Sequence, residues 1–283
     1  TILALAEQED FIYAPVDAMG EMIGDINSLS KHIQAILDHP LVDIYAIKKA
    51  NFKVVVDAIN SSGAFAVPQL LEALGVNVNL TPEKVASLVN DIGIAFMFAP
   101  NFHPAMRYAA PVRKKLGVRT IFNVLGPLAN PASATHQVLG VYEASLTETM
   151  AEVLSKLGSE HVMVVHGEDG MDEISISSAT RISELKNKSI TTFTIKPTDF
   201  GFDMADLKDI QVENVDASKA MMLDVLEGHQ GPHRDITLLN AGAAIYVSGL
   251  TSTLKEGIEK AVLVIDQGLA LKKLEALKAA SHG

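Results

Sequence analysis

From Thr81 onward, apolar runs of strand length alternate with helix-length segments, and this alternation restricts the chain to an α/β fold with a sheet of mixed direction flanked by helices. Thr81 and Pro82 form an N-cap and first-position pair for a helix through Asp91. Ile94 to Phe98 and Gln137 to Tyr142 read as strands, and Leu146 to Leu157 reads as a helix closed by Gly158. His161 to Val165 is the next strand, and Ser175 to Ser177 and Ser189 to Lys196 extend the sheet. Asp216 to Leu226, Asp235 to Val247, Ser252 to Gln267 and Leu269 to Ala280 read as helices. Upstream, Ser28 or Ser30 caps a helix through Leu37 that Pro40 stops, Asp43 opens a second through Ala50, and Phe52 to Ile59 reads as a buried strand. The turn Asn60-Ser61-Ser62-Gly63 then enters a helix ending at Gly75. Strand, glycine turn and helix is also the layout of a phosphate cradle, but with one glycine the structural reading is favoured.

The charge distribution narrows the function. The chain of 283 residues carries 34 acidic and 23 basic side chains, a net charge of −11, which argues against nucleic acid as a partner. It contains no cysteine, so any metal must be held by oxygen or histidine ligands. No secretory leader is read, and the uncharged run from Thr120 to Tyr142 is broken by Gly126, Pro127, Asn130 and Pro131, so no membrane span is expected. These bounds fit a cytoplasmic metabolic enzyme.

Against this acidic background, the stretch from Ile92 to Tyr142 contains no Asp or Glu and five cations: Arg107, Arg113, Lys114, Lys115 and Arg119. A region kept positive in an acidic protein suits an anionic ligand, and a solvated basic helix face is the alternative. His103 precedes Pro104, which places it at a helix mouth, where free N–H groups and the positive dipole end favour a carboxylate or phosphate. For His103 alone, a capping role and a ligand contact are equally open. Pro111 interrupts the helical run, so Arg113 opens a second segment from which it can grip a carboxylate with two hydrogen bonds.

A second feature is HGEDGMDEIS, His166 to Ser175. Four carboxylates, Glu168, Asp169, Asp172 and Glu173, fall between a strand end and the next strand, with Gly167 and Gly170 permitting tight turns. Such a loop is either a solvated acidic hairpin or a site for a hard cation such as Mg²⁺.

The segments LLEALGVNVNLTPEKV, FHPAM followed by APVRKKLGVRTIFNVLGPLANPA, VVHGEDGMDEIS and RDITLLNAGAAIYVSG occur in order from about Leu71 to the C-terminus. Together they resemble the C-terminal part of the anthranilate phosphoribosyltransferases of tryptophan biosynthesis. The resemblance implies a nucleoside phosphorylase/phosphoribosyltransferase-like domain and two small-molecule substrates, anthranilate and phosphoribosyl pyrophosphate. It also implies anthranilate-binding roles for His103 and Arg113, and a role for Asp172 and Glu173 in holding Mg²⁺ with the pyrophosphate. The family's glycine-rich GTGGD loop and KHGNR-like segment do not occur in the chain. Lys31-His32 is not followed by Gly-Asn-Arg and does not replace the latter.

Residues 1–70, with AEQEDFIYAPVD and HIQAILDHPLVDIYAIKKANFKVVVDAINSSG, instead resemble an internal fragment of a phosphohexomutase of the phosphoglucomutase and phosphomannomutase kind. The fragment contains none of that family's phosphoserine, metal or sugar-recognition loops, so mutase activity is the least favoured function. The expected organisation is therefore a mutase-like segment over 1–70 and a transferase-like domain over 71–283, a chimera joined between Ser61 and Val76. The chain is expected to lack turnover and to self-associate as a homo-oligomer, because family surface normally covered by the missing N-terminal part is left open. A non-catalytic α/β protein with residual anthranilate or Mg²⁺ binding is the alternative.

Overall fold

The computed structural model describes residues 63–102, 126–130 and 132–283, all within the compact unit Tyr45–Gly283. The helices read at Ser28 to Ala50, the strand at Phe52 to Ile59, and both His103 and Arg113 lie outside the described residues. The described α-helices and strands follow in order: helices α1 (Gly63–Ala73), α2 (Pro82–Ile92) and the single turn α3 (Ala99–Phe102), then β1 (His136–Gly140), α4 (Leu146–Lys156), β2 (His161–Gly167), β3 (Thr180–Lys186), β4 (Ser189–Ile195), α5 (Val215–Leu226), α6 (Pro232–Val247), α7 (Leu254–Asp266) and α8 (Leu269–His282). The Thr81 cap acts where the sequence placed it, and two further caps appear. Thr81 accepts from the Lys84 amide, Asn214 from the Ala217 amide, and Thr253 and Glu256 form a reciprocal capping box at the start of α7.

The sheet runs β1-β2-β3-β4, with β1 and β2 parallel across the α4 crossover and the other pairs antiparallel. Both faces are covered, which is why β2 reads as an unbroken apolar run. Met163 and Val165 join Ile182, Leu239, Ala243 and Val247 on the α6 side, whereas Val162 and Val164 join Leu139, Leu185, Met150 and Leu154 on the α4 side. A third cluster ties α2 to α8 through Val76, Leu80, Val85, Leu88 and Leu277. There Ser281 accepts from the Asn77 amide at 3.0 Å, which fixes the C-terminal helix to the segment after α1.

Two local expectations are corrected. Ile94 to Phe98 is not a strand. Ile94, Ala95 and Met97 pack against the α2–α8 cluster, so their apolarity reports burial and not pairing in the sheet. Ser175 to Ser177 is not a strand either, because the Ser175 and Ser177 hydroxyls are committed to Asp169. The strand in that region is β3, whose sequence TRISELK looks too charged to be buried. Its charges are individually matched: Arg181 Nε donates to Thr147 Oγ1 at 3.2 Å, Glu184 meets His161 Nε2 at 2.8 Å, and Lys186 Nζ donates to the Tyr246 hydroxyl at 2.9 Å. Burial pushes the Glu184 carboxyl up, but the His161 and Tyr246 hydrogen bonds and the charges of His161 and Lys186 outweigh it and hold it below the ordinary value.

Candidate functional site

The carboxyl ends of β1 and β2 lie at one edge of the sheet, where ligands of open α/β sheets are bound. The strands are closed there by the Val141 amide donating to Val165 O at 3.0 Å and by His166 Nδ1 donating to Val141 O at 2.8 Å. The loop after Gly167 then turns back on itself: the Gly167 amide donates to Met171 O at 2.8 Å, the Gly170 amide to Gly167 O at 2.9 Å, and the Glu168 amide to Ala179 O at 2.9 Å.

The four carboxylates of this loop divide into different roles. Asp169 faces inward as its organiser, accepting from the Met171 amide at 3.2 Å and from the hydroxyls of Ser175 and Ser177. Burial pushes its carboxyl up, but the Ser175 and Ser177 hydroxyls and the Met171 amide together hold it below the ordinary 3.8. A carboxyl lowered by folding contributes stability that is complete above pH 3.8 and is lost as pH falls through its lower folded value. Asp169→Asn is therefore expected to flatten the acid limb of a stability-versus-pH curve between about pH 4 and pH 2. It should also destabilise by about 1.5–3 kcal/mol at neutral pH, the worth of a hydrogen bond to a charged group. Denaturant unfolding across that pH range checks both.

Asp172 and Glu173 are exposed, and neither has a hydrogen-bond or ion-pair partner among the described residues. Protein atoms crowd the Glu173 carboxyl although solvent reaches the residue, and this crowding, followed by the charge of Asp172, raises its proton affinity. An adjacent pair that repels itself and has no internal cation suits a hard divalent ion. Among the described residues no group of three or more His, Asp or Glu converges to hold a metal alone. That donor set fits Mg²⁺, which commonly takes one or two carboxylates and completes its shell with water and substrate phosphate.

The pair is positioned from both sides by residues that sequence reading passed over. Gly140, at the end of β1, touches the Asp172 peptide so closely that a Cβ there would lie 1.6 Å from Asp172 O. On the other side, the Asn240 side chain of α6 accepts from the Ile174 amide and donates to Ile174 O, each at 2.9 Å. A glycine inside a strand pattern and an asparagine inside an apolar helical run were the available signals. A nearby concavity lined by Ser177, Asp203, Asp206, Asp209 and Asp235 is too acidic to hold pyrophosphate without cations.

Residues 60–271 match the family described as Glycosyl transferase family, a/b domain. An anthranilate phosphoribosyltransferase of Methylobacillus flagellatus is 56% identical over 213 residues, 75% of this chain and 62% of the relative. That of Thermus thermophilus superposes with a TM-score of 0.76 at 37% identity, covering 84% of this chain and 71% of the other. The chain belongs to the anthranilate phosphoribosyltransferase family. It spans about 62% of the length of the curated relatives it matches. The Saccharomyces cerevisiae member, solved in complex with PRPP and Mg, superposes with a TM-score of 0.72 at 29% identity, covering 86% of this chain and 69% of the other. The phosphoribosyltransferase-like fold and a glycosyltransferase-type enzyme family thus follow, and no helix among the described residues is long and apolar enough to cross a membrane.

Proposed function

We propose that residues 71–283 carry the anthranilate side and the metal side of an anthranilate phosphoribosyltransferase site, and that the chain as it stands binds ligands without turning them over. One observation carries this reading: in a member of this family, an exposed Asp172-Glu173 couple, without a partner among the described residues, is braced at the carboxyl ends of parallel strands. In the reaction, the anthranilate nitrogen bonds to the anomeric carbon of phosphoribosyl pyrophosphate as the bond to pyrophosphate breaks. Arg113 takes the anthranilate carboxylate and His103 flanks it. Asp172 and Glu173 hold Mg²⁺, which when bound neutralises charge on the leaving pyrophosphate. The rest of the catalysis is positioning.

The chain contains no GTGGD loop or KHGNR-like segment to cradle the pyrophosphate. Losing even one donor aimed at developing charge costs on the order of 3 kcal/mol in barrier, so losing the whole loop removes useful catalysis. The segment before residue 60 lies outside the family match and is read as the mutase-like part of a chimera.

Steady-state formation of phosphoribosyl-anthranilate, followed by the loss of anthranilate fluorescence with Mg²⁺ present, tests this reading. No turnover is expected, while titration still detects anthranilate or Mg²⁺ binding. Turnover that Arg113→Ala removes would overturn the claim of inactivity and leave the site assignment standing. A folded chain with no binding of either ligand would overturn the site assignment.

A further inference from the structure

We infer that Asn240 is a positioning residue for the cation pair, an inference that rests on the metal reading of Asp172 and Glu173 given above. Asn240 is the one amide side chain in the apolar run LLNAGAAIYV, inside α6, where asparagine is less favourable than alanine. It makes three hydrogen bonds: Oδ1 accepts from the Ile174 amide at 2.9 Å, and Nδ2 donates to Ile174 O at 2.9 Å and to Ile236 O at 3.0 Å. Only this orientation of the amide satisfies all three backbone groups, because two of them are carbonyls and one is an N–H.

Side-chain amide and peptide thus pair as two strands would, clamping the residue that directly follows Glu173. The Ile174 side chain is itself buried in the same cluster as Leu239 and Ala243 of α6. The peptide at 174 is held in position and orientation by one helix, and the Asp172 peptide is held against Gly140. Between these two fixed points the adjacent carboxylates have one presentation. Neither contact touches a ligand directly, so Asn240 acts through the loop.

The test is Mn²⁺ binding to the full chain, read from the free-ion EPR signal. The parent protein is expected to bind saturably, and Asp172→Asn to lose that binding. Asn240→Ala should weaken binding about 10- to 100-fold, the usual effect of removing a group that orients a metal ligand. Asn240→Asp keeps the shape and the acceptor but loses both donors. Its added negative charge would by itself tighten cation binding, so weaker binding reports a displaced loop. Val225→Ala, a cavity in the separate cluster formed by Leu238, Ala261 and Ile265, controls for general destabilisation and should leave the dissociation constant unchanged.

Parent-like affinity in both Asn240 variants, or tighter binding in Asn240→Asp, overturns the role of Asn240 and leaves the metal reading intact. Equal weakening in Val225→Ala does the same. Absence of saturable binding in the parent, or an unchanged affinity in Asp172→Asn, overturns the metal reading and this inference with it.

Discussion

Gly140→Ala is expected to force the acidic loop off the edge of β1 and to lower the melting temperature by about 4–10 °C. The added Cβ would lie 1.6 Å from Asp172 O and 2.6 Å from Asp172 C, well inside contact distance and against backbone, so no rotamer change relieves it. Alanine does reduce the unfolded chain's freedom, worth roughly 0.5–1 kcal/mol in its favour. Overpacking against a fixed peptide costs about 3 kcal/mol and wins, and about 2–4 °C is lost per kcal/mol in a domain of this size. Because the displaced peptide belongs to Asp172, the same substitution should weaken Mn²⁺ binding. Thermal unfolding and metal titration of one variant check both effects. A parent-like melting temperature would show that the loop yields freely, and the bracing of the carboxylate pair would then be wrong.

Gly242→Ala should destabilise the helical layer by a net of about 2 kcal/mol, although alanine is the better helix former by about 1 kcal/mol. A Cβ at position 242 would sit 2.4 Å from Ile258 Cγ1 and 2.7 Å from both Cα and N of Ile258. Facing it, a Cβ at Gly257 would lie 2.3 Å from Gly242 O. The two glycines thus let α6 and α7 approach backbone to backbone, and α6 carries Asn240 as well as Leu239 and Ala243 of the core. Gly257→Ala should cost a similar amount, and the double variant should cost less than the sum, since parting the helices once relieves both clashes. Urea unfolding of the three variants measures the coupling. Full additivity would mean that the two positions do not share one crossing.

Much of the frame was legible because its signals are local. The Thr81-Pro82 start of α2, the helices from Val215 onward and the apolar β2 run follow from capping chemistry and periodicity, which neighbours in sequence supply. Where the reading failed, the deciding partner was distant. Ile94 to Phe98 has the composition of a strand, but its Ile94, Ala95 and Met97 pack against the α2–α8 cluster. Thr180 to Lys186 received no strand reading, and it is an inner strand in which His161 and Tyr246 pair with its Glu184 and Lys186.

The candidate site divides the same way. The sequence by itself determined the residue types of the HGEDGMDEIS loop, its place after a strand and the family to which the chain belongs, since all three reside in contiguous residues. It did not separate the roles of the four carboxylates, which spacing makes equivalent. Only the tertiary structure turned Asp169 inward onto the serine hydroxyls, left Asp172 and Glu173 exposed and without a partner among the described residues, and set Gly140 and Asn240 on either side of them. The physical reason is that a carboxylate's function depends on which donors surround it and on how its peptide is held: Asp169 finds its donors in Met171, Ser175 and Ser177 once the loop folds back, whereas the backbone beside Asp172 and Glu173 is held by a neighbouring strand and by a helix 66 residues away in sequence.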